Sequence, residues 1–252
     1  MLARQRQTEI VRRLRSEGTV SVNDLARSLG VTCSTIRRDL ALLGDRGTVQ
    51  RVHGGAALRD DADDELPFSV VVTADAREKD AVGAAAAHLV NDGEVVLLDI
   101  GTTAMSLARH LRGRRITVAT SSLAVVDALR DDAAVDLLLL GGVVRRAYLS
   151  MVGVLTEDAL TQIHADRAFL GTSGIRSDGR VLDSTRVEVP IKRAMIRAAD
   201  QVVLLADRHK FPGTGALRVC DMADIDVLVT NEGADEPTLR TCARAGVEVR
   251  FG

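Results

Sequence analysis

Residues 21–43 read SVNDLARSLGVTCSTIRRDLALL, and two helices joined by a turn can be read directly from them. Ser21 has the side chain of an N-cap. Val22, Leu25, Ala26 and Leu29 follow at the i, i+3, i+4, i+7 spacing of one apolar helix face. Gly30 breaks that helix, and Thr32 caps a second one whose apolar stripe is Ile36, Leu40 and Leu43. Two short helices with a glycine-containing turn between them make a helix-turn-helix. Upstream, residues 2–15 predict a further helix, with Ile10 and Leu14 one turn apart and Gly18 at its end.

The second helix has the chemistry of a DNA reader. Ser34, Thr35, Arg37 and Arg38 lie off the apolar stripe, near the helix N-terminus that such modules present to the major groove. A guanidinium at Arg37 or Arg38 suits the O6/N7 edge of guanine, while the two hydroxyls suit phosphate or base edges. Residues 47–56, GTVQRVHGGA, alternate between flanking glycines and predict a two-stranded wing. From that wing Arg51 and His53 would reach the backbone or the minor groove. The alternative is a plain three-helix module with a solvated arginine face.

Charge agrees with the first reading. Residues 1–58 hold ten arginines, no lysine and five acids, a net of +5, which leaves −7 for the rest of a chain whose total is −2. A basic head on an acidic body points to a polyanionic partner for the head. Residues 59–65 then carry five acids and precede Pro67, so 59–74 is expected to be a solvated connector.

The remainder, residues 75–252, alternates. Helices are predicted at 75–91, 103–111, 123–130, 156–164, 190–199 and 236–245. Strands are predicted at 95–99, 116–119, 135–140, 167–170, 202–206, 227–230 and 247–250. The apolar run 135–142 reads as a buried strand. This order is that of an α/β domain with a mainly parallel sheet, whose ligands bind beyond the C-terminal strand ends. Those ends are where Gly, Ser and Thr collect: Asp99-Ile100-Gly101-Thr102-Thr103, then Thr120 and Ser121, then Gly141 and Gly142, then Gly171, Thr172 and Ser173. Gly101-Thr102-Thr103 alone is neither a Walker loop nor a dinucleotide fingerprint and fits a plain helix cap equally well. Four such ends in succession make an anion-tolerant rim.

Only three of the 33 basic residues are lysine: Lys79, Lys192 and Lys210. Two of these sit in charged segments after strands, Lys192 four residues after Glu188 and Lys210 three after Asp207. Glu188 and Lys192 fit either a solvated i, i+4 ion pair or a ligand site. In the second case Lys192 or Lys210 holds a phosphate, and Glu188, Asp99 or Asp207 holds sugar hydroxyls.

The runs Val22-Asn23-Asp24-Leu25-Ala26, Leu29-Gly30-Val31-Thr32, Thr35-Ile36-Arg37-Arg38-Asp39-Leu40 and Arg51-Val52-His53-Gly54-Gly55-Ala56 resemble the N-terminal signature of DeoR-type bacterial regulators. The strand-end segments at 99–103, 140–142, 169–175, 188–195 and 206–211 resemble the sensor motifs of the same family. That resemblance implies a repressor of sugar or nucleoside catabolism, relieved by a phosphorylated sugar. It also implies a sensor fold similar to ribose-5-phosphate isomerase. Departures are Cys33 in place of a polar residue, Pro190 inside the Glu–Lys motif, and Arg208-His209 in place of two small polar residues.

Taken together, the expected protein is a cytoplasmic, ligand-controlled regulator of double-stranded DNA, working as a homo-oligomer, with no cofactor, metal or catalytic residue. No apolar run approaches the roughly 18 residues of a membrane span, and residues 1–15 are arginine-rich without a signal core. The cysteines, Cys33, Cys220 and Cys242, fit neither a disulfide framework nor a zinc site. Two rivals remain at this level: a sugar-phosphate isomerase with an added DNA module, which would use Glu188 or Asp99 as its base, and a constitutive DNA binder whose body only oligomerises.

Overall fold

The structure is a computed structural model and describes residues 3–17, 19–45, 49–52, 55–58, 68–213 and 215–252. The chain forms two compact units, Met1–Ala74 and Asp75–Gly252.

In the first unit, helix α1 (Ala3–Glu17) is followed by strand β1 (Thr19–Ser21), α2 (Val22–Leu29), α3 (Cys33–Asp45), β2 (Val49–Val52) and β3 (Gly55–Leu58). Gln7, Ile10, Val11 and Leu14 bury one face of α1. Leu25 and Ala26 of α2 and Ile36, Leu40 and Leu43 of α3 meet them in one core. Each fully buried Leu or Ile contributes about 1.5–3 kcal/mol. Ser21 caps α2 by accepting the Asp24 amide at 3.1 Å. Gly30 takes a left-handed conformation (φ 63°), which lets the Val31 amide turn back to the Ala26 carbonyl at 3.1 Å. Thr32 Oγ1 accepts the Thr35 amide at 3.3 Å and starts α3.

The wing is an antiparallel sheet of order β1-β3-β2. Its third strand, β1, has no counterpart in the sequence reading. Helix α4 (Phe68–Val71) inserts Val70 into the core of this first unit. Residues 68–71, read as part of a solvated connector, are therefore packed helix. The acidic run 59–65 lies outside the described residues, as does His53.

The second unit contains α5 (Ala76–Ala87), β4 (Val95–Leu98), α6 (Thr102–His110), β5 (Ile116–Thr120), α7 (Leu123–Leu129), β6 (Val135–Leu139), β7 (Val143–Arg145) and β8 (Ser150–Val152). It continues with α8 (Val154–Thr161), β9 (Ala165–Gly171), β10 (Gly174–Ile175), β11 (Arg180–Asp183), α9 (Val189–Arg197) and β12 (Ala199–Leu205). Last come β13 (Leu217–Asp221), β14 (Val227–Thr230), α10 (Glu236–Arg244) and β15 (Glu248–Phe251).

Seven of these strands make one parallel sheet, ordered β15-β14-β12-β9-β4-β5-β6. Strand residues alternate between two cores. Val96, Leu98, Phe169, Val203 and Leu205 face α5, α6 and α7. Leu97, Ala168, Leu170 and Leu204 face Leu160 of α8, Ile191 and Met195 of α9, and Cys242 of α10. Both faces are covered, which is why the strands read as continuous apolar runs.

One expectation is corrected. The run 135–142 is not a buried strand, because β6 ends the sheet and has β5 on one side only; Leu138 is 46% and Leu139 40% exposed. The β7–β8 hairpin and the antiparallel sheet β10-β11-β13 were also not anticipated.

Strand order locates the point where the winding of the sheet reverses. From β4 the chain runs outward through β5 to β6, then returns to β9 on the opposite side of β4. The C-terminal ends of β4 and β9 therefore flank the point where the winding reverses, and that is where such sheets open a crevice.

Candidate functional site

On α3, Ser34, Arg37 and Arg38 are exposed and Thr35 is half-buried. Thr32 Oγ1 lies 2.8 Å from Ser34 Oγ and 2.9 Å from Thr35 Oγ1, so both hydroxyls are already tied to the cap. Asp39, which the sequence reading passed over, is buried. It accepts from Arg6 Nε at 2.5 Å and Gln7 Nε2 at 3.2 Å, which locks the rotation of α3 against α1. Cys33 donates to Asn23 Oδ1 at 3.3 Å and bridges the two helices of the motif. Arg51 sits on β2.

In the second unit, Asp99 follows β4 and is fully buried. Its Oδ2 accepts the Gly171 amide at 2.8 Å, across the reversal point, and accepts from Lys192 Nζ. Lys192 also donates to the Gly171 carbonyl at 2.9 Å and lies 3.5 Å from Asp183 Oδ2. Burial alone would lower the pKa of this ammonium. The carboxylates of Asp99 and Asp183 outweigh that and hold it above its ordinary value.

Glu188, at the N-cap of α9, is also fully buried. Its Oε1 accepts from Arg145 Nη1 at 2.5 Å and Ser150 Oγ at 2.8 Å. Burial, reinforced by the nearby Asp99 charge, pushes its pKa up to about 7. Asp99 Oδ1 and Glu188 Oε2 are buried without a hydrogen-bond partner among the described residues.

The β7–β8 hairpin brings Arg145 and Ser150 here. It lies across the β5 end, where the Met151 amide donates to the Ser121 carbonyl at 2.9 Å and the Leu123 amide to the Leu149 carbonyl at 2.8 Å. Tyr148 Oη stands 3.8 Å from the position of a Cβ on Gly101, which itself caps α6 with φ 105°. Thr102 is buried and Thr103 half-buried in the first turn of that helix.

Several residues expected to line the rim make bonds or close contacts within the protein. Thr120 Oγ1 donates to the Leu98 carbonyl at 2.7 Å and accepts the Ser122 amide at 3.0 Å. Gly142 makes room: a Cβ there would lie 2.2 Å from Thr156 Oγ1 and 2.7 Å from the Val152 carbonyl oxygen. Gly141 accepts from that threonine hydroxyl at 2.8 Å. Thr172 Oγ1 bonds within its own loop and to the Leu182 carbonyl at 2.8 Å, while Ser173 pairs with Ser184 at 3.0 Å.

Asp207 and Lys210 belong to a second group on the same edge. Asp207 is buried and caps a short 3-10 turn (Arg208–Lys210) by accepting the His209 amide at 3.0 Å. Lys210 is half-buried beside Lys79, which α5 brings in. Burial and the Lys210 charge pull Lys79 down to about 8. An open groove of about 430 Å³ lies nearby, lined by Arg77, Glu78, Arg208, Asn231 and Phe251 among others; none of the residues around Asp99 lines it.

Residues 6–62 match the model of the DeoR-like helix-turn-helix domain, and residues 74–232 match that of the DeoR C terminal sensor domain. The chain belongs to the DeoR family. It is therefore a transcription regulator with a helix-turn-helix head and a sensor body.

Its relatives include a protein provisionally named aga operon transcriptional repressor in Escherichia coli O157:H7, 34% identical over 97% of this chain and 92% of the other. The HTH-type transcriptional repressor GlcR of Bacillus subtilis is 30% identical over 99% and 96%. The glycerol-3-phosphate regulon repressor of Escherichia coli K12 is 30% identical over 90% of each. Among solved structures, ribose 5-phosphate isomerase A of Methanocaldococcus jannaschii is similar over 52% of each chain at 18% identity, with a TM-score of 0.39. Among the described residues no helix is long and apolar enough to cross a membrane.

Proposed function

We propose that this regulator represses a sugar or polyol catabolic operon and that a phosphorylated sugar, bound along the C-terminal edge of β4, β9 and β12, controls it. The observation that carries the reading is the buried, incompletely satisfied pair Asp99 and Glu188 at the winding reversal. Buried carboxylate oxygens without donors suit ligand hydroxyls, and the lysines Lys79 and Lys210, in the second group on the same edge, suit a dianion. The names of the relatives GlcR and the glycerol-3-phosphate regulon repressor support the same class of operon.

The ion pairs explain how binding can change the protein. Hydroxyls entering at Glu188 compete with Arg145, whose side chain is 9% exposed, and so shift the β7–β8 hairpin that carries it. A ligand with different affinity for the two hairpin positions shifts their populations. The head binds double-stranded DNA through Arg37 and Arg38, with Ser34, Thr35, Arg51 and His53 toward phosphate. The protein acts in the cytoplasm and binds its effector without turning it over.

Two heads reading repeated sites require a homo-oligomer. Support comes from Leu138, Leu139, Val143, Val144, Val154 and Leu155, six exposed large apolar side chains between residues 138 and 155.

The test is a thermal-shift panel of sugar phosphates and their unphosphorylated parents. A hundredfold excess of ligand over Kd stabilises the folded state by about 2.7 kcal/mol. One phosphorylated sugar should raise the melting temperature while its parent does not. A panel without any shift, or a parent sugar equal to its phosphate, contradicts the proposal.

A further inference from the structure

We propose that Asp75, Asp207 and His209 bind one divalent transition-metal ion. Asp75 Oδ1 lies 3.4 Å from His209 Nδ1, which lies 3.7 Å from Asp207 Oδ1. One ligand atom from each of the three falls within 4.8 Å of the others. Ligands on a single ion at ordinary bond lengths stand roughly 3–3.5 Å apart, so small side-chain rotations close the site.

A second observation points to a cation. Asp207 Oδ2 is buried, with its side chain 1% exposed, and has no hydrogen-bond partner among the described residues. Its Oδ1 accepts only the His209 amide among the bonds resolved for it. A buried carboxylate oxygen left without a donor is unfavourable, and a metal ion relieves that. Asp75 occupies the N-cap position of α5 yet makes no side-chain cap bond; its carboxylate faces His209 instead. Asp75 and His209 are both exposed, so an ion can enter from solvent and keep water or a ligand oxygen in its remaining positions.

Two carboxylates and one imidazole select the kind of ion. Lys79 and Lys210 stand nearby and oppose additional positive charge. An ion held by oxygen alone, such as Mg²⁺ or Ca²⁺, gains little against that repulsion. Mn²⁺, Co²⁺ and Zn²⁺ gain from the imidazole as well. The site stands independently of the sugar-phosphate reading.

The experiment is calorimetric titration of the chelator-treated full-length protein with Co²⁺, Mn²⁺ or Zn²⁺. One ion per chain should bind, and Co²⁺ should add a visible absorption band. Asp75→Asn and His209→Ala, both at exposed positions, should each weaken binding at least about tenfold with an unchanged melting curve. No binding at millimolar metal overturns the proposal, as does binding that both variants leave unaltered.

Discussion

Lys192 donates to Asp99 across 93 positions of sequence, and both side chains are buried. The pair joins the start of the α9 helix to the end of β4. With the Gly171 amide and carbonyl it ties together the strand ends at the winding reversal of the sheet. The charged centre of the second unit thus lies where the strand order reverses.

Removing the cation should expose how much the pair holds. Lys192→Ala leaves Asp99 and Asp183 buried beside each other without compensation. Breaking a buried pair in this way is destabilising by about 3–5 kcal/mol. Urea unfolding of the two proteins would show it as a lowered midpoint, and an unchanged midpoint would mean that the pair is not formed.

Glu188 should make stability pH-dependent in an unusual direction. Its folded pKa of about 7 lies above its ordinary value of 4.5, so the folded state binds the proton more tightly than the unfolded chain. The resulting stabilisation is fully present below 4.5 and is lost as pH rises toward 7; it amounts to about 3 kcal/mol. Glu188→Gln should flatten that slope. Melting temperatures between pH 4.5 and 7.5 that fall equally in both proteins would assign the effect elsewhere.

Gly142, expected on the ligand rim, also packs closely against Val152 and Thr156. Gly142→Ala should destabilise the body by about 1–3 kcal/mol, the usual range for forced overpacking, because the backbone of Val152 and the Thr156 hydroxyl have no room to retreat. Thermal melting decides: a variant as stable as the parent removes the packing role.

At the DNA end, replacing Arg37 and Arg38 together with alanine should weaken binding to promoter DNA more than about tenfold, since one bidentate contact is worth roughly 1–3 kcal/mol. Circular dichroism and melting should not change, because both side chains are exposed. Fluorescence anisotropy showing full affinity would move the reading surface off α3.

Lys210→Ala should separate sensing from DNA binding. DNA affinity without effector is expected to stay at the parent's value, while the response to the phosphorylated sugar disappears. A normal response would take Lys210 out of the phosphate site.

The head was legible because its signals are local. Caps at Ser21 and Thr32, the Gly30 turn and the apolar stripes all act within four residues of one another, and the structure reproduces each. What local patterns cannot carry was missed. Strand β1 is three residues between two helices. The sheet β10-β11-β13 pairs Arg180 with Asp221, far along the chain and past an intervening helix and strand. The outermost place of β6 depends on the whole topology, so an apolar run looked buried when only Val135 and Leu140 of it are.

The site shows the same division. Strand-end positions such as Asp99 and Gly171 followed from alternation, and Glu188 from its four-residue spacing to Lys192. Their partners did not: Lys192 was paired in sequence with Glu188 four residues away, yet its carboxylates are Asp99 and Asp183. Arg145 and Ser150 arrive on a hairpin whose short strands gave no periodic signal, although an arginine beside a valine pair just past Gly142 was a visible cue. Thr120 and Thr172 were expected on the ligand rim, and the bonds their hydroxyls make to backbone carbonyls distant in sequence carry no local signal.

The most direct measurement is the affinity of the full-length protein for promoter DNA of its own operon, followed by fluorescence anisotropy while the sugar-phosphate panel is added. One phosphorylated sugar should change the dissociation constant by at least about tenfold, a coupling free energy of roughly 1.4 kcal/mol, its unphosphorylated parent should not, and Lys210→Ala should abolish the change. DNA binding that stays tight and indifferent to every member of the panel would contradict an effector-controlled sensor.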